Sequence, residues 1–512
     1  MNKVKKFIIN NKAKLIFCII LAIAIFTRLY KIDTIPHGIN VDEAGMAYDA
    51  YCLANYGTDR YLNHNPVYLI NFGGGQSAMY AYIASAFIKI FGFSIITIRF
   101  PAFFLGIIAI VLSYFMVKDK LGEKFALGFM LLITICPWHI MSSRWGLDCN
   151  LLPPMSIISM FFLLKAKNTK GYIIAGIFIG LTLYTYALSY IIIPIFLFLT
   201  LIYMLYTREI TLKNVIIMGI PIFILAIPLM LMLLVNNGYI NEIKGIITIP
   251  KLWIYRGNEI KLETILENLT FFKTMFTNDA LVYNSLPEFG TLYIFASFLS
   301  IFGFFVEMNN LIKNIKDRKF EINSIFVFLF IAVTICMLII EGPNINKANA
   351  CFIPLLFFAC TTIKNIYKNY KYAFYIIVVL YIINFVTFED FYFNKYSIKY
   401  EYQPFFEQDL IESLNYIDND LNFKDKDVYI YTLSAQPYIY TLINNRISPY
   451  EFNQKIHENS GYEFSYGRYY FYNENIDDNS IYIVKDNDSL ISNLKINGFY
   501  LEKLKSYIIA YK

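Results

Sequence analysis

Long apolar segments alternate with short polar connectors over the first 388 residues of the chain. A helix needs about 20 apolar residues to cross the hydrocarbon core of a bilayer. Eleven segments fit this pattern, with boundaries defined to within several residues: 15–30, 98–117, 125–142, 151–164, 172–188, 190–206, 214–235, 290–306, 323–340, 350–363 and 371–388. The pattern therefore predicts an all-α polytopic membrane protein.

A twelfth apolar segment, residues 77–92, decides the predicted topology. Sixteen residues are few for a span, and three consecutive glycines, Gly73 to Gly75, interrupt the chain before it. Lysine and arginine collect on the cytoplasmic side of membranes. The basic connectors can all be cytoplasmic only if segment 77–92 does not cross: 118–124, 165–170, 207–213, 309–321 and 364–371. We therefore predict a juxtamembrane helix in the outer interface or dipping into the membrane, with a cytoplasmic N-terminus.

This topology places four loops and the tail on the outer face. The loops are residues 31–97, 143–150, 235–289 and 341–349. The tail, 389–512, holds 12 of the 44 basic and 19 of the 38 acidic residues, a balance of −7 in a chain of net charge +6. Strand-like runs at 427–433 and 479–486 alternate with amphipathic helical patterns at 408–417 and 489–499. We predict a transmembrane domain, 1–388, followed by a small soluble extracytoplasmic α/β domain, 389–512.

Composition agrees with a membrane protein. The chain is 57% hydrophobic and 16% charged, with a mean hydropathy of +0.48, whereas soluble domains have about 45–50% apolar and about 25% charged residues. Seven cysteines without paired spacing argue against a disulfide framework or a zinc site. The glycine triplet lacks the lysine and strand of a phosphate loop. No nucleic-acid partner is expected.

Two adjacent acids, Asp42 and Glu43, follow the first predicted span. Asn40, three positions before Glu43, fits a helix N-cap, and acids in a first turn suit the helix dipole. Capping alone is therefore one explanation. The other is catalytic, since a capped turn holds a carboxylate rigidly, and partial desolvation at the membrane surface tunes the pKa of a general base.

A second acidic loop reads SSRWGLDCN, residues 142–150, after PWH at the outer end of a predicted span. Arg144 and Asp148 are four residues apart, so a helical ion pair is one explanation. Chain order places this loop on the same face as Asp42. The alternative is that Asp148 lies beside Asp42 in an outer cavity.

Two basic residues complete the candidates. Arg99 begins a span within IRFP, and Lys347 lies in EGPNINKANA. Snorkelling explains basic residues at interfaces, but a cation there can also clamp the phosphate of a lipid-linked donor. His64 is typical of a surface histidine. Aromatic residues in 251–259 and 283–290 fit either a sugar-binding lid or simple packing.

These motifs resemble the C-type glycosyltransferase superfamily, membrane enzymes that use polyprenyl-phosphate sugars. It includes protein O-mannosyltransferases, the aminoarabinose transferases of lipid A and the catalytic subunit of oligosaccharyltransferase. The likeness covers about residues 15–360 and is strongest in the first 200. Asp42-Glu43 matches the Asp-Glu motif of the mannosyltransferases. The order of PWHIMSSRWGLDCN matches oligosaccharyltransferase and places Asp148 at its second acid.

The resemblance also covers the basic residues. FGFSIITIRFPAFFLGIIAIVLSY resembles the helix-to-span passage of bacterial members, which makes Arg99 a candidate for the essential arginine. NINKAN resembles a late outer loop that often holds arginine, where this chain has Lys347. Oligosaccharyltransferase binds metal through Asp-x-Asp, whereas this chain has Asp148-Cys149-Asn150. The sequence therefore leaves open whether a Mg or Mn ion binds at Asp42 and Asp148. The tail matches no member.

The resemblance implies inverting transfer of a sugar from a polyprenyl phosphate to a hydroxyl of a protein or envelope glycan, on the outer face of the cell membrane. Asp42 would be the general base, with Glu43 and Asp148 positioning the substrates. The implied contacts are Arg99, Lys347 and Arg144 with the donor phosphate, and His64 and Tyr48 with substrate.

Two other functions compete with this one. A transporter or flippase of lipid-linked glycans would also use interfacial charges, but it is expected to show repeats and broken helices at matching positions, and the sequence has neither. A polysaccharide polymerase or ligase is the second alternative, and an arginine-rich outer loop would favour it. The loop 235–289 contains one arginine, Arg256.

Overall fold

The computed structural model describes the chain except residues 1–10, 256, 278–282, 397–405, 433–435, 459–463, 472–475 and 487. Arg256 and most of the basic N-terminal segment lie outside the described residues. The helices are α1 Lys12–Leu29, α2 Val41–Tyr56, α3 Met79–Phe91, α4 Ile95–Leu121, α5 Glu123–Ile135, α6 Pro137–Ser142, α7 Leu152–Lys165, α8 Thr169–Thr182, α9 Ser189–Tyr206, α10 Leu212–Asn236, α11 Ile265–Asn268, α12 Phe271–Thr274, α13 Ile294–Lys316, α14 Asn323–Ile339, α15 Phe352–Asn369, α16 Lys371–Asn394, α17 Gln408–Asn419, α18 Tyr438–Asn445, α19 Pro449–Lys455 and α20 Leu490–Ile496.

The strands form two sheets. They are β1 Tyr68–Asn71, β2 Gly74–Ser77, β3 Val428–Tyr431, β4 Ile456–Glu458, β5 Phe464–Tyr466, β6 Tyr469–Phe471, β7 Ile481–Lys485, β8 Tyr500–Leu504 and β9 Tyr507–Tyr511. β1 and β2 form an antiparallel hairpin. The other seven strands form one sheet in the order β4-β5-β6-β3-β7-β9-β8, in which β3 is parallel to β6 and β7 and the other pairs are antiparallel.

The chain separates into two compact units by its internal contacts. The helical unit comprises Met1–Tyr30, Arg99–Leu233 and Arg256–Tyr392, and the sheet unit comprises Lys31–Ile98, Leu234–Tyr255 and Phe393–Lys512. The sheet unit thus combines the tail with the predicted outer loop 31–97 and the first part of the predicted loop 235–289. The predicted division at residue 388 stays a prediction about domains.

Six helical segments in the described part of the chain are long and apolar enough to cross a membrane: Ile95–Leu121, Ser189–Tyr206, Leu212–Asn236, Ile294–Lys316, Asn349–Asn369 and Lys371–Asn394. In α10 and α16, only 17% and 11% of the most apolar window is buried. Apolar surfaces of that extent require lipid or a partner to cover them. The chain is therefore a multi-pass membrane protein, mostly helical, as predicted.

The predicted count of eleven spans is not confirmed. Segment 125–142 is broken, because α5 ends at Ile135 and Pro137, which has no N–H to donate, begins the separate helix α6. The helices α7 and α8 have 14 residues each. At 1.5 Å per residue each is about 21 Å long, which is less than the hydrocarbon thickness of about 30 Å.

The glycine triplet shapes the hairpin that precedes α3. Phe72 and Gly73 both have positive φ, 50° and 79°, as the two central residues of a tight hairpin turn require. Gly75 lies against the ring of Tyr68, where a Cβ would collide. The predicted helix of segment 77–92 is confirmed as α3, which has 13 residues. Its place relative to the membrane stays a prediction.

The core of the sheet unit lies around β3 and β7. The predicted strands at 427–433 and 479–486 form β3 and β7, and the predicted helices at 408–417 and 489–499 form α17 and α20. One apolar cluster joins Val428, Ile430 and Ile483 to Ala44 and Tyr48 of α2. The helix that carries the first acidic motif is therefore part of the core that the tail builds.

Candidate functional site

The first acidic motif begins α2. Asn40 is the N-cap, and its Oδ1 accepts a hydrogen bond of 3.0 Å from the main-chain N–H of Asp42. The capping interpretation is therefore confirmed for Asn40. Asp42 is exposed, whereas Glu43 is wholly buried. Only Asp42 thus presents its carboxylate at the surface of the sheet unit.

The opposite face of α2 is fixed by packing. Ala44, Tyr48 and Cys52 lie in the core of the sheet unit. The Tyr48 hydroxyl donates to Ile447 O at 3.0 Å, and its ring is fully buried. Tyr48 is therefore a packing residue here, and the predicted contact with substrate would require this hydroxyl to leave its acceptor. His64 is exposed and forms an isolated β-bridge with Thr58, which agrees with a surface histidine.

A buried ion pair in the sheet unit is formed by two residues that are not among the predicted site residues. Arg60 and Asp49 are 0% and 1% exposed, and their closest nitrogen and oxygen are 2.8 Å apart. Charged residues are almost never fully buried unless they are paired. An aspartate surrounded by Ala47, Tyr48 and Ala50 was the signal that could have revealed it.

The second acidic loop belongs to the helical unit. Asp148 begins a short 3₁₀ helix, Asp148–Leu151, and its Oδ1 accepts from Cys149 N–H at 2.8 Å. The side chain of Asn150 accepts from the amides of Asn284 at 3.0 Å and Asn349 at 3.2 Å. These contacts join parts of three predicted outer loops, 143–150, 235–289 and 341–349, on one face of the helical unit.

Two tryptophans complete this amide network. Trp145 Nε1 donates to Asn284 Oδ1 at 2.9 Å, and Trp138 Nε1 donates to Asn349 Oδ1 at 2.7 Å. Asn284 also donates to Asn346 Oδ1 at 2.8 Å. The network thus holds Asn150 through two amides, two residues after Asp148.

Two buried arginines cap helix ends in the helical unit. Arg28, near the end of α1, donates to the last-turn carbonyls of α5, Thr134 O at 3.0 Å and Ile133 O at 3.2 Å. Arg144 donates to Thr27 O and Tyr30 O, both at 2.8 Å, at the end of α1. The last carbonyls of a helix lack intrahelical donors and carry partial negative charge, which a cation stabilises.

These contacts bear on the predicted role of Arg144. A donor phosphate would have to compete with the two carbonyl oxygens that Arg144 already binds. Burial lowers the pKa of Arg144, and the nearby charge of Arg99 acts in the same direction, while Tyr392 and Glu389 oppose it. Arg28, Arg99 and Arg144 are all fully buried. This cluster is therefore a region of concentrated positive charge.

Lys347 is also engaged with protein groups. Its Nζ donates to Glu341 O at 2.6 Å and lies 3.9 Å from Glu259 Oε2. Its contact with a donor phosphate stays a prediction, since the phosphate would have to displace these oxygens.

The predicted Mg or Mn ion would need a cluster of protein ligands. In the part of the chain that the structure describes, no three His, Cys, Asp or Glu side chains are placed to hold a metal ion. Asn150, which stands in place of the second aspartate of the Asp-x-Asp pattern, already accepts hydrogen bonds from two amides. A Mg or Mn ion at Asp42 and Asp148 stays a prediction.

The predicted site residues are distributed over both units. Asp42, Glu43, Tyr48 and His64 belong to the sheet unit, and Arg99, Arg144, Asp148 and Lys347 to the helical unit. Within the helical unit, the charge of Arg99 contributes to lowering the pKa of Arg144. The amide network joins the loops of Asp148 and Lys347. That Asp42 and Asp148 meet in one pocket stays a prediction.

Comparison with known proteins shows that the chain is similar to membrane glycosyltransferases in part of its sequence and in its fold. Residues 76–233 match the model of the family described as dolichyl-phosphate-mannose-protein mannosyltransferase. The structure resembles ArnT from Cupriavidus metallidurans in the apo state, with a TM-score of 0.56 and 10% identity over 98% of both chains. The undecaprenyl-phosphate-bound form of ArnT matches with the same TM-score and identity over 97% of both chains.

A weaker similarity extends to the oligosaccharyltransferase AglB from Archaeoglobus fulgidus, in a structure with an inhibitory peptide and a dolichol phosphate. Its TM-score is 0.47 at 11% identity, over 85% of this chain and 64% of AglB. No curated protein sequence matches significantly. The ArnT-like fold and the match of residues 76–233 confirm the predicted resemblance to the polyprenyl-phosphate-dependent C-type glycosyltransferases.

Proposed function

We propose that this protein transfers a sugar from a polyprenyl-phosphate donor to an acceptor hydroxyl on the extracytoplasmic face of the membrane. The observation that carries the proposal is Asp42, an exposed carboxylate in the first turn of a helix whose opposite face is packed in a core. The ArnT structure with undecaprenyl phosphate supports this donor class. In this proposal the N-terminus is cytoplasmic and the tail extracytoplasmic.

The chemistry is a single inverting displacement. The acceptor oxygen attacks the anomeric carbon from the face opposite the phosphate, and Asp42 takes the hydroxyl proton. The bond between the anomeric carbon and the phosphate oxygen breaks, and the polyprenyl phosphate departs with the electron pair. A general base contributes about 10²–10⁴ in rate. Orientation and stabilisation of the phosphate supply the remainder.

The other residues hold the reactants. Glu43 and Asp148 are assigned to position the sugar and the acceptor, and Arg99 to neutralise the departing phosphate. The positive cluster around Arg99 favours a dianionic leaving group. Arg144 and Lys347 would join Arg99 only by exchanging their protein oxygen contacts for phosphate oxygens.

The test is transfer in proteoliposomes. Purified protein is given undecaprenyl phosphates carrying radiolabelled mannose, glucose, galactose or arabinose, with an envelope fraction from a host strain lacking the gene as acceptor. We expect label in a new covalent product, reduced at least 100-fold by Asp42→Asn. Asp119→Asn, which changes an exposed carboxylate paired with Lys165 at 2.5 Å, is the matched control and should retain full activity.

The same assay separates the flippase alternative. A flippase moves labelled lipid between leaflets and forms no labelled covalent product. Neither the unmodified protein nor Asp42→Asn would then give covalent labelling. Near-normal transfer by Asp42→Asn would also exclude this residue as the base. If transfer occurs without loss in Asp42→Asn, the reaction class stands and the assignment of Asp42 fails.

A further inference from the structure

We propose that Arg60 is the positioning residue that holds the Asp42 carboxylate in place, acting through α2. The inference rests on the proposed function, in which Asp42 is the base. Arg60 does not touch the reacting atoms. Its guanidinium lies at the point where α2, the β1–β2 hairpin and the tail helix α18 meet, all within the sheet unit.

The grip of Arg60 on α2 is bidentate. Nε donates to Asp49 Oδ1 at 3.0 Å and an Nη to Asp49 Oδ2 at 2.8 Å, while the main-chain N–H of Arg60 also donates to Asp49 Oδ1 at 3.0 Å. The same Nη donates to Gly45 O, one turn after Asp42. Arg60 therefore holds two consecutive turns of the helix that begins with the base.

The other contacts of Arg60 join α2 to the rest of the sheet unit. An Nη lies 3.1 Å from Asn71 Oδ1 in the hairpin, and another 3.5 Å from the Tyr438 hydroxyl of α18. The carbonyl of Arg60 accepts from the Asn453 amide at 2.8 Å. Arg60 thus links α2 to both the hairpin and the tail, in addition to the apolar packing of α2 against the tail.

Gly45 is the residue that makes this contact possible. A Cβ at position 45 would lie 3.0 Å from the Nη of Arg60 and would collide with Asn71 Oδ1. Glycine in a helix interior is otherwise unfavourable. Its presence one turn after the base is explained by the close approach of the Asn71 side chain, whose Oδ1 lies 3.1 Å from Arg60 Nη.

The guanidinium geometry matters because lysine cannot reproduce it. A planar fork donates to both carboxylate oxygens at once, whereas an ammonium is a point charge. A displacement of about 1 Å at a reacting group costs about 10²-fold in rate. We therefore expect Arg60→Lys to lower kcat by about 10–100-fold and to change the KM for the donor less than threefold.

The kinetic test uses the full-length protein in proteoliposomes, with whichever labelled undecaprenyl-phosphate sugar it transfers. Arg468→Lys is the matched control, since Arg468 pairs with Asp418 at 2.6 Å in the same unit, and it should keep kcat within twofold. In the Asp42→Asn background, Arg60→Lys should have no further effect, because residues that act as one unit are not additive. Multiplying losses would show that Arg60 does not act through Asp42.

A second measurement needs no activity. A nitroxide is attached at Asp42→Cys in a Cys18→Ser background, since among the seven cysteines only Cys18 is exposed. We expect Arg60→Lys, and separately Gly45→Ala, to shorten the rotational correlation time of the label at least twofold, while Arg468→Lys leaves it unchanged. An unchanged spectrum in folded Gly45→Ala and Arg60→Lys protein would overturn the positioning role, whatever the base proves to be.

Discussion

Trp138 and Asn349, 211 positions apart in the sequence, are joined by a hydrogen bond of 2.7 Å between the indole N–H and the amide oxygen. Asn349 also donates to Asn150, which follows Asp148 by two residues within the second acidic loop. A span break early in the chain and a late loop therefore share one buried network.

Asn349→Ala should lower stability through Trp138. The variant leaves the fully buried indole N–H without its acceptor, which costs about 1–3 kcal/mol. The melting temperature of the purified protein should fall by several degrees, whereas Asn369→Ala, at an exposed position, should leave it unchanged. Adding Trp138→Phe should recover part of the loss. Strict additivity of the two changes would contradict the proposed contact.

Arg144→Lys and Arg99→Lys should differ in their effects. Lysine cannot donate to Thr27 O and Tyr30 O with the same fork, so Arg144→Lys should lower the melting temperature by several degrees. The KM for the lipid-linked donor should change less than threefold. Arg99→Lys should instead raise this KM at least tenfold. Thermal melts and donor titrations check both, and equal KM effects would place Arg144 in the phosphate site.

The stability of the sheet unit should fall as pH rises from about 4 to about 6. Burial, aided by the charge of Asp49, raises the pKa of Asp59 from 3.8 to about 6. The folded state therefore binds this proton more tightly than the unfolded state, so its contribution is lost as the group ionises. The shift corresponds to about 3 kcal/mol. Melting temperatures of Asp59→Asn should vary less over this interval, and parallel curves would refute the assignment.

Gly75→Ala and Gly219→Ala should have opposite effects. A Cβ at Gly75 collides with the ring of Tyr68 across the hairpin, so this variant should lower the melting temperature. At Gly219, on α10, a Cβ meets nothing within 4 Å. Alanine has the higher helix propensity by about 1 kcal/mol, so Gly219→Ala should be neutral or stabilising. Thermal melts of both variants check this, and similar losses would count against the hairpin geometry.

The sequence predicted the features that depend on local pattern. Apolar runs located the helices, and alternating residues located β3 and β7, because one face of each element must be buried. The cap at Asn40 followed from its side chain and spacing. The count of spans was not recoverable in the same way, since Pro137 breaks one apolar run without altering its hydropathy.

Contacts between residues far apart in the chain could not be predicted from local sequence patterns. The pairing of Asp49 with Arg60 and the capping of α1 by Arg144 depend on tertiary packing. Spacing suggested a helical ion pair for Arg144 and the family resemblance a phosphate contact, whereas Arg144 donates to the main-chain oxygens of Thr27 and Tyr30. Tyr48 appeared available to substrate because a sequence does not reveal that the tail covers it.

The shared core of α2 and the tail sets an order for biogenesis. Ala44 and Tyr48 pack against Val428 and Ile483, which a ribosome adds about four hundred residues later. The helix bearing Asp42 therefore lacks this packing surface until the last strands have been synthesised. A chain cut short before those strands would leave α2 without its partner surface.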